Sequence, residues 1–316
     1  MSVIRYSLVI PIYNEEETLE ALFSALNGII AHFDGVTEII FINDGSKDRS
    51  MQILLAANKL NPHFKIINLS RNFGHQIAVT AGLDYAEGQA VVIMDADLQD
   101  PPEVILELIK KWKEGYEIVY AIRAKRDGES LFKKITANIF YRLLKNLSNL
   151  DTPLDVGDFR LVDKKVIKAF RQFKEHNRYV RGMFSWMGFN QIGVVYHRKA
   201  RFAGETKYPL KKMIKFAWDG LLGFSDVPLK LALKLGFWLS FISALVGIYA
   251  ILAKLMGKWY VADGWTSLMV VISLIGGIQL IVLGLMGLYI SRIHDEVRNR
   301  PQYLVANTIG CGEKTL

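Results

Sequence analysis

The sequence predicts an α/β domain with a mostly parallel sheet covered by helices on both faces, followed by juxtamembrane amphipathic helices and two transmembrane helices. Strand-like and helix-like runs alternate through the first 125 residues, and two long uncharged apolar runs follow near the other end of the chain. The mean hydropathy of +0.19 over 316 residues is high for a soluble protein. We therefore expect a membrane protein rather than a purely soluble one.

Short runs rich in Val and Ile, bounded by turn residues, predict strands at 6–11, 38–43, 64–69, 90–95 and 117–122. The runs between them have an apolar spacing of about 3.6 residues, which predicts helices at 16–32, 50–61, 75–86 and 102–112. Strand–helix alternation of this kind builds a mostly parallel sheet. Ligands of such sheets lie at the carboxyl ends of the strands, so the polar residues that follow each strand are the candidate site residues.

Further elements are predicted beyond this alternation. They are a basic amphipathic helix at 130–149, a strand at 159–162, a helix that begins at residue 164 and a strand at 191–196. Residues 210–224 have one apolar face and precede the first uncharged run. We expect this segment to lie in the lipid headgroup layer, with an ordinary helix of the domain as the alternative.

Two uncharged stretches are long enough to cross a bilayer. Nineteen residues without a charge lie between Lys234 and Lys254, and 28 lie between Asp263 and Arg292. A bilayer core needs roughly 20 apolar residues per helix, so both stretches are predicted spans. Cys311 is the only cysteine, which excludes a disulfide within the chain.

The charges beside the predicted spans indicate their orientation. Between residues 196 and 234 there are nine Lys or Arg residues and three acids, and more arginines follow the second span. No signal peptide is expected, because Arg5 and Pro11 interrupt the N-terminal apolar run. The positive-inside rule places the large domain and both termini in the cytoplasm, although Lys254 and Lys258 in the external loop weaken this bias. We expect an integral membrane protein, in a bacterial inner membrane.

These features divide the chain into four predicted parts. Residues 1–208 form the cytoplasmic domain, 209–234 the juxtamembrane amphipathic helices, 235–291 the two transmembrane helices with a short external loop, and 292–316 a cytoplasmic tail. The tail after Arg300 is expected to be poorly ordered.

Three acids follow the fourth predicted strand within six residues. Asp95, Asp97 and Asp100 surround Gln99 in a loop that leads into Pro102. Helix capping needs only one acid, and neighbouring carboxylates repel one another unless a cation lies among them. Hard oxygen ligands on a loop suit Mg²⁺ or Mn²⁺ carried with a diphosphate, so a metal–diphosphate site is favoured over simple capping.

Polar residues also follow the first two strands. The first strand leads into Pro11-Ile12-Tyr13-Asn14-Glu15, and the second into Asn43-Asp44-Gly45-Ser46. Each motif alone is typical of turns and helix caps. Together they place carboxylates and amides at adjacent strand ends, where Asp44 is expected to accept a hydrogen bond from a base or a ribose.

Four motifs in this order resemble the family 2 glycosyltransferases, which have the GT-A fold. They are Val-Ile-Pro-Ile-Tyr-Asn-Glu at 9–15, Asn-Asp-Gly-Ser at 43–46, Asp-Ala-Asp-Leu-Gln-Asp-Pro at 95–101 and Gly-Asp-Phe-Arg at 157–160. With two C-terminal spans, the chain is most similar to the polyprenyl-phosphate glycosyltransferases, the group of dolichyl-phosphate mannose synthase and bacterial undecaprenyl-phosphate glucosyltransferases. The resemblance extends from Ser7 to about Arg300.

The resemblance implies a nucleotide-sugar donor, a divalent metal and a polyprenyl phosphate acceptor at the cytoplasmic face of a membrane. It implies that the nucleoside is contacted by Pro11, Tyr13, Glu15 and Asp44. Asp95 would meet the sugar or the nucleotide. Asp97 and Gln99 resemble the metal ligands of the family.

The resemblance also implies a catalytic role for Asp158, which is often described in the family as the base. Pairing with Arg160 is the alternative. A phosphate monoester has its second pKa at about 6, so a phosphate acceptor is already largely a dianion at neutral pH and needs no base. We therefore expect Asp158 to orient the acceptor phosphate or a sugar hydroxyl, or to stabilise positive charge on the sugar ring.

Three cations are candidates for a phosphate contact. Arg201 and Lys207 lie in a segment similar to an Arg–Gly–Lys-Tyr stretch that approaches the diphosphate in the family, and attraction to anionic lipid is the alternative. Glu205 stands where many relatives have Ser and is left unassigned. Arg123 follows the fifth strand, where a surface arginine is an equal alternative. His75, after the third strand, is not expected to bind a metal, because no second histidine lies nearby.

We therefore expect an inverting hexosyltransferase that uses UDP-glucose and a polyprenyl phosphate. GDP-mannose or a UDP-linked amino sugar is the alternative donor, and a polysaccharide synthase with more membrane helices is another enzyme alternative. A non-catalytic partner of a lipid-carrier flippase is the alternative from a different class, although the intact acidic motifs argue against it. The net charge of +8 is concentrated beside the spans, so no nucleic acid is expected. A homo-oligomer is left open.

Overall fold

The computed structural model describes residues 3–124, 156–176, 178–197, 227–256 and 265–311. The chain divides into two compact units. One comprises Met1–Gly220 and Arg300–Leu316, and the other comprises Leu221–Asn299. The four-part division expected from the sequence remains a prediction.

The first unit contains strands and helices in the predicted alternation, with a short helix (α6) and a C-terminal strand (β8) that the sequence did not predict. The strands are β1 (Tyr6–Ile12), β2 (Thr37–Asn43), β3 (Phe64–Leu69), β4 (Ala90–Ile93), β5 (Ile118–Arg123), β6 (Val156–Asp163), β7 (Gln191–Tyr196) and β8 (Val305–Ile309). The helices are α1 (Leu19–Ile30), α2 (Ser50–Leu60), α3 (His75–Tyr85), α4 (Val104–Lys113), α5 (Lys164–Phe170) and α6 (Val180–Trp186).

The eight strands form one sheet in the order β7-β5-β6-β4-β1-β2-β3-β8. The pairs β1–β2, β1–β4, β2–β3 and β5–β7 are parallel, and the remaining three pairs are antiparallel. The prediction of a mostly parallel sheet is confirmed. Because β1, β2, β3 and β4 run in the same direction, the loops that follow them all lie at one edge of the sheet.

Helices pack on both faces of the sheet because successive strand side chains point to opposite sides. Leu8 of β1 belongs to a buried cluster that includes apolar residues of α1, α2 and α4. Val9, the next residue, is also buried and lies against Gly82 of α3. The near-continuous apolar strands are therefore buried on both faces, as expected for a parallel sheet.

The residues that follow Arg300 are ordered, so the expectation of a poorly ordered tail is wrong for the described residues up to Cys311. β8 pairs with β3 in antiparallel fashion, with Ile309 opposite Ile66. Tyr303 is buried, and its hydroxyl donates to Asp84 at 2.9 Å. The sequence signal was weak because β8 has only five residues and gains its hydrogen bonds from a strand far away in the chain.

The second unit contains two long helices, α7 (Val227–Leu255) and α8 (Trp265–Arg298). Among the residues that the structure describes, one segment is long and apolar enough to cross a membrane. It is Leu274–Arg298 of α8, with 25 residues, a mean hydropathy of 2.0 and no buried residues in its most apolar window. The span predicted within α7 remains a prediction. The helices predicted at 130–149 and 210–224 lie outside the described residues.

Candidate active site

Two carboxylates from different parts of the chain meet because of the sheet order. β6 lies beside β4 and runs antiparallel to it, with Arg160 opposite Ile93. Continued two residues beyond the end of β4, this register places Asp158 across from Asp95. The Nε2 atom of His75, the first residue of α3, lies 3.0 Å from Asp158 Oδ2 and 3.6 Å from Asp95 Oδ1.

Asp158 is buried and surrounded by hydrogen-bond donors. Arg181 of α6 donates from Nε to Oδ1 at 2.7 Å and from Nη2 to Oδ2 at 3.1 Å. Gln76 Nε2 donates to Oδ2 at 3.3 Å. The alternative pairing with Arg160 is absent, because Arg160 Nη2 donates to the carbonyl of Gly157 instead. Asp158 is therefore an ion-paired carboxylate held by side chains of α3 and α6.

Charges and burial shift the pKa values in this cluster in opposite directions. Burial would raise the pKa of Asp158, but Arg181 and His75 outweigh it and hold this pKa well below its ordinary value. Burial would lower the pKa of His75, but the charges of Asp95 and Asp158 raise it to about 9. Burial raises the pKa of Asp95 to about 6. At neutral pH the cluster therefore contains an ionised Asp158 and a protonated His75.

The acidic loop after β4 is held in a tight backbone turn. The backbone N–H of Gln99 donates to Asp97 Oδ1 at 3.2 Å. Leu98, between these two residues, has a φ of 54°, which is the left-handed region that a leucine rarely adopts. Its side chain packs against the core and fixes the loop there. Strained residues of this kind cluster at functional sites.

The chemistry of this loop fits a divalent cation bound together with a substrate. Asp97 and Gln99 would hold it with hard oxygen atoms. Among the described residues, no group of three His, Cys, Asp or Glu side chains could hold a metal by itself. Mg²⁺ commonly uses one or two carboxylates and takes its remaining ligands from substrate phosphates and water, so a small protein ligand set agrees with it.

The loops after β1 and β2, where the nucleoside contacts are predicted, are joined by hydrogen bonds. The backbone N–H of Asn14 donates to Ser46 Oγ at 3.1 Å, and that of Glu15 donates to Ser50 Oγ at 2.9 Å. Tyr13 is exposed beside them, and Pro11 is buried within β1. In the structure, the loop after β1 and the loop after β2, which carry the predicted nucleoside contacts, therefore lie next to each other.

Asp44 supports the neighbouring turn between β3 and α3. Its carboxylate accepts the backbone N–H of Phe73 at 2.7 Å and that of Gly74 at 2.9 Å. Burial raises the pKa of Asp44 despite these bonds. Asp44 therefore positions the start of α3, which carries His75, in addition to its predicted contact with the nucleoside.

Arg123 lies at the same edge of the sheet and is not a free surface arginine. Its Nε donates to the Tyr196 hydroxyl at 3.4 Å, and that hydroxyl donates to Asp100. A Cβ atom added to Gly157 would lie 2.6 Å from Arg123 Nη2, so the guanidinium rests on this glycine beside Asp158. The structure therefore places a cation against Gly157 and the Tyr196–Asp100 pair, at the edge of the sheet where the candidate site lies.

Some predicted residues are not described, and some important ones were not predicted. Arg201, Lys207 and Glu205 lie outside the described residues. The sequence did not predict Arg181 as a partner of Asp158, because the two are separated by 23 positions and no motif joins them. For His75, the sequence suggested a helix start that faces the site, and its side chain was considered only as an unlikely metal ligand. Its place at the start of a helix after a parallel strand is the signal that could have indicated a site residue.

Comparison with known proteins identifies the family. The family model for Glycosyl transferase family 2 matches residues 7–171. An uncharacterized glycosyltransferase, YkcC of Bacillus subtilis, is 51% identical over 313 residues, covering 99% of this chain and 97% of that protein. A prophage-derived bactoprenol glucosyl transferase of Shigella flexneri is 38% identical over 301 residues, covering 95% of this chain and 97% of that protein.

Solved structures show a weaker likeness. Glucosyl-3-phosphoglycerate synthase from Mycobacterium tuberculosis, in complex with phosphoglyceric acid, matches with a TM-score of 0.45 at 18% identity, covering 70% of this chain and 80% of that chain. This likeness is too slight to support a statement about the substrate. The family model, in contrast, spans more than half of the chain, and the sequence relatives match nearly all of it. The resemblance noted in the motifs is confirmed: the protein is a glycosyltransferase and belongs to glycosyl transferase family 2.

Proposed function

We propose that this glycosyltransferase transfers glucose from UDP-glucose to a polyprenyl phosphate at the cytoplasmic face of a membrane, with inversion at the anomeric carbon. The observation that supports it best is that Asp158 lies across from Asp95, beside the loop that carries Asp97. The chain is also similar over nearly its whole length to relatives named bactoprenol glucosyl transferases. The acidic loop supports a diphosphate donor, and the relatives' names support the sugar and the lipid.

In the proposed reaction an acceptor phosphate oxygen forms the new bond to the anomeric carbon. The bond from that carbon to the diphosphate breaks, and its electron pair leaves with the nucleotide diphosphate. A single displacement of this kind inverts the anomeric centre. A bound Mg²⁺ or Mn²⁺ would neutralise charge on the departing diphosphate.

The protein's own side chains bind and orient the reactants in this proposal. Asp97 and Gln99 hold the metal, and Asp95 contacts the sugar or the nucleotide. Asp158 lies across from Asp95 and stays ionised, so it is suited to orient a sugar hydroxyl or to stabilise positive charge on the ring. Arg123 is proposed to contact a phosphate, because it lies at the same edge of the sheet with its guanidinium against Gly157. Arg201 and Lys207 are proposed to assist at the departing diphosphate or to hold the acceptor phosphate.

The C-terminal strand supports a topology with two spans. β1 to β7 precede α7 in the chain, whereas β8 follows α8 and pairs with β3 of the same sheet. A chain that leaves one sheet and returns to it crosses any intervening membrane an even number of times. We therefore propose spans in both α7 and α8, with the catalytic unit and both termini in the cytoplasm of a bacterial cell.

The donor and acceptor can be tested with membranes that contain the full-length protein. UDP-glucose, GDP-mannose and UDP-linked amino sugars, each labelled in the sugar, would be offered with polyprenyl phosphate, and the lipid product would be identified by mass. We expect a glucosyl lipid phosphate from UDP-glucose, with the β configuration if the donor is α-linked.

The control for this assay is a matched pair of carboxylate variants. Asp158→Asn should lower transfer severely, whereas Glu20→Gln, at an exposed position of α1, should leave it unchanged. A preferred donor other than UDP-glucose would refute the glucose assignment. Transfer to a polyprenol without phosphate, or retention of configuration, would refute the acceptor or the mechanism.

The topology can be tested with the single natural cysteine. Cys311 should react with a membrane-impermeant maleimide only after cells are opened. In a Cys311→Ser background, Ala262→Cys between the two long helices should react in intact cells. Labelling of Ala262→Cys only in opened cells would contradict the proposal of two spans.

A further inference from the structure

Arg181 binds Asp158 through two different nitrogen atoms. Its Nε lies 2.7 Å from Oδ1, and its Nη2 lies 3.1 Å from Oδ2. The side chain of Arg181 is 28% exposed, whereas that of Asp158 is 5% exposed. An arginine fork of this kind fixes the orientation of a carboxylate as well as its charge.

His75 and Gln76 bind the same carboxylate from α3. Oδ2 of Asp158 accepts hydrogen bonds from His75 Nε2 at 3.0 Å and from Gln76 Nε2 at 3.3 Å. Gln76 Oε1 also accepts the backbone N–H of Val180, the first residue of α6, at 3.0 Å. The helices that carry the cations are therefore tied to each other beside the carboxylate that both of them hold.

We propose that Arg181, together with His75, is a positioning residue that holds Asp158 as an anion in one orientation, so that Asp158 takes up no proton during sugar transfer. The inference rests on the proposed function, in which the acceptor is a phosphate. A phosphate dianion is already a nucleophile and needs no base. The phosphate–sugar bond forms, the sugar–diphosphate bond breaks with its electron pair, and no proton moves. Among the described residues, Oδ1 of Asp158 accepts one hydrogen bond, from Arg181 Nε. This oxygen can therefore also interact with the sugar.

Charged and titratable groups face Asp158 from each surrounding element. They are His75 on α3, Asp95 after β4, Arg160 on β6 and Arg181 on α6. Next to them, Tyr179 interacts with Arg181, and Arg123 at the end of β5 rests on Gly157. Burial and the like charge of Asp95 both oppose ionisation of Asp158. Removal of Arg181 would therefore raise the pKa of Asp158 and make its ionisation depend on pH.

The first test compares pH profiles of kcat for the full-length protein and for Arg181→Met, with lipid phosphate as acceptor. In the wild type Asp158 should not contribute to the acidic limb of log kcat, which reports the acceptor phosphate and Asp95, both with a pKa of about 6. In Arg181→Met the slope of this limb should increase by about one as Asp158 titrates as well, and kcat at pH 7 should fall about 100-fold with the donor KM within about threefold. Arg181→Lys should recover part of kcat and a slope nearer that of the wild type.

Arg178→Met is the matched control. Arg178 lies on the loop that leads into α6, three residues before Arg181. It donates to the carbonyls of Phe173 and Glu175 and packs over Phe170, so it supports the fold. Its loss should lower thermal stability and leave the slope of the acidic limb at the wild-type value. An unchanged slope in Arg181→Met, with kcat lowered, would overturn the inference.

A double-mutant cycle provides the second test. If Arg181 acts through Asp158, adding Arg181→Met or Arg181→Lys to Asp158→Asn should lower kcat no further. If the two losses multiply, Arg181 acts on the substrate directly and the inference is wrong. Should Arg181→Met fail to fold, the Lys variant and His75→Gln allow the same comparison. Transfer to the lipid phosphate by the wild type tests the proposed function alone. The role of Arg181 is tested by the kcat of each variant divided by the wild-type kcat. The proposed function and the role of Arg181 can therefore be refuted independently.

Discussion

Asp97 is the residue whose charge is expected to matter most for the metal. It is buried in the loop after β4, and a backbone N–H holds one of its oxygens. Asp97→Asn removes a full negative charge from a hard-cation site while it keeps the size of the side chain. We expect transfer to fall by about 100-fold or more and to require more Mg²⁺ or Mn²⁺.

Rates measured against metal concentration, in protein first treated with a chelator, would check this expectation. Glu20→Gln is a suitable control, since Glu20 is exposed on α1 and lies outside the acidic loop. Full activity of the wild type in excess chelator would show that the metal assignment is wrong.

His75 gives stability a distinct dependence on pH. Its pKa in the folded protein is raised to about 9, whereas an unfolded chain has a histidine pKa of about 6.5. The protonated form thus favours folding, and this contribution is complete below about pH 6.5 and is lost as pH rises through about 9. The depressed pKa of Asp158 acts in the opposite sense and loses its contribution only in acid.

Thermal unfolding of the wild type should therefore occur at lower temperature as pH rises from 7 to about 9.5. His75→Gln should lose this part of the decline, because glutamine does not titrate. If the unfolding temperatures of the wild type and His75→Gln fell equally with pH over this range, His75 would not be protonated in the folded protein.

At the scale of elements, the site depends on how closely two loops approach each other. Gly45, after β2, has a φ of 65°, and a Cβ atom there would lie 2.5 Å from backbone atoms of Arg71 and Asn72 after β3. Gly45→Ala should lower the free energy of unfolding by about 1–3 kcal/mol or more, since strain and a backbone clash combine. It should also weaken nucleotide binding, because Asp44 would move.

Gly28→Ala is the contrasting substitution. Gly28 lies in α1, and a Cβ atom there would meet nothing within 4 Å. Because alanine favours a helix over glycine, stability should rise by up to about 1 kcal/mol. Chemical or thermal unfolding of both variants, with titration of UDP as a second measurement, checks the pair. If Gly45→Ala and Gly28→Ala changed the free energy of unfolding equally, the loops after β2 and β3 would accommodate the added Cβ atom without strain.

In the overall organisation of the chain, residues 300–311 pack against the elements that hold the site. Gln302 Nε2 donates to the carbonyl of Glu175 at 2.8 Å, on the loop that leads to α6, and Tyr303 bonds to Asp84 of α3. The tail therefore contacts α3 and the loop that leads to α6, the two elements around Asp158. We expect a chain that stops after Asn299 to lose stability and most transfer, whereas one that stops after Cys311 keeps β8 and its activity.

The pairing of β8 with β3 changes what is expected of a protein truncated before the long helices. From the sequence, a protein that ends before Lys230 should lose transfer to a long-chain acceptor but still bind the nucleotide. Such a protein also lacks β8, so the edge of β3 is left unpaired. Its nucleotide affinity should fall unless residues 300–316 are joined to it by a linker. Calorimetric titration of UDP into both forms distinguishes the effect of the tail from that of the membrane.

The alternation of elements, the mostly parallel sheet and the acidic loop after β4 could all be predicted from the sequence. These features follow from local patterns, such as apolar periodicity and polar residues directly after strands. The same patterns, with the order of the motifs, identified the family and its candidate residues, including Asp44, Asp97 and Asp158.

The groups that surround those residues became known from the folded structure. Arg181, rather than the neighbouring Arg160, pairs with Asp158, because α6 folds back beside the start of α3. The tail becomes a strand because β3 offers an unpaired edge at a distance of more than 200 residues. Side-chain partners and added strands depend on contacts between parts of the chain that have no common local pattern. For that physical reason, hydropathy and spacing predicted the sheet and its acidic loop but not the charges that hold Asp158.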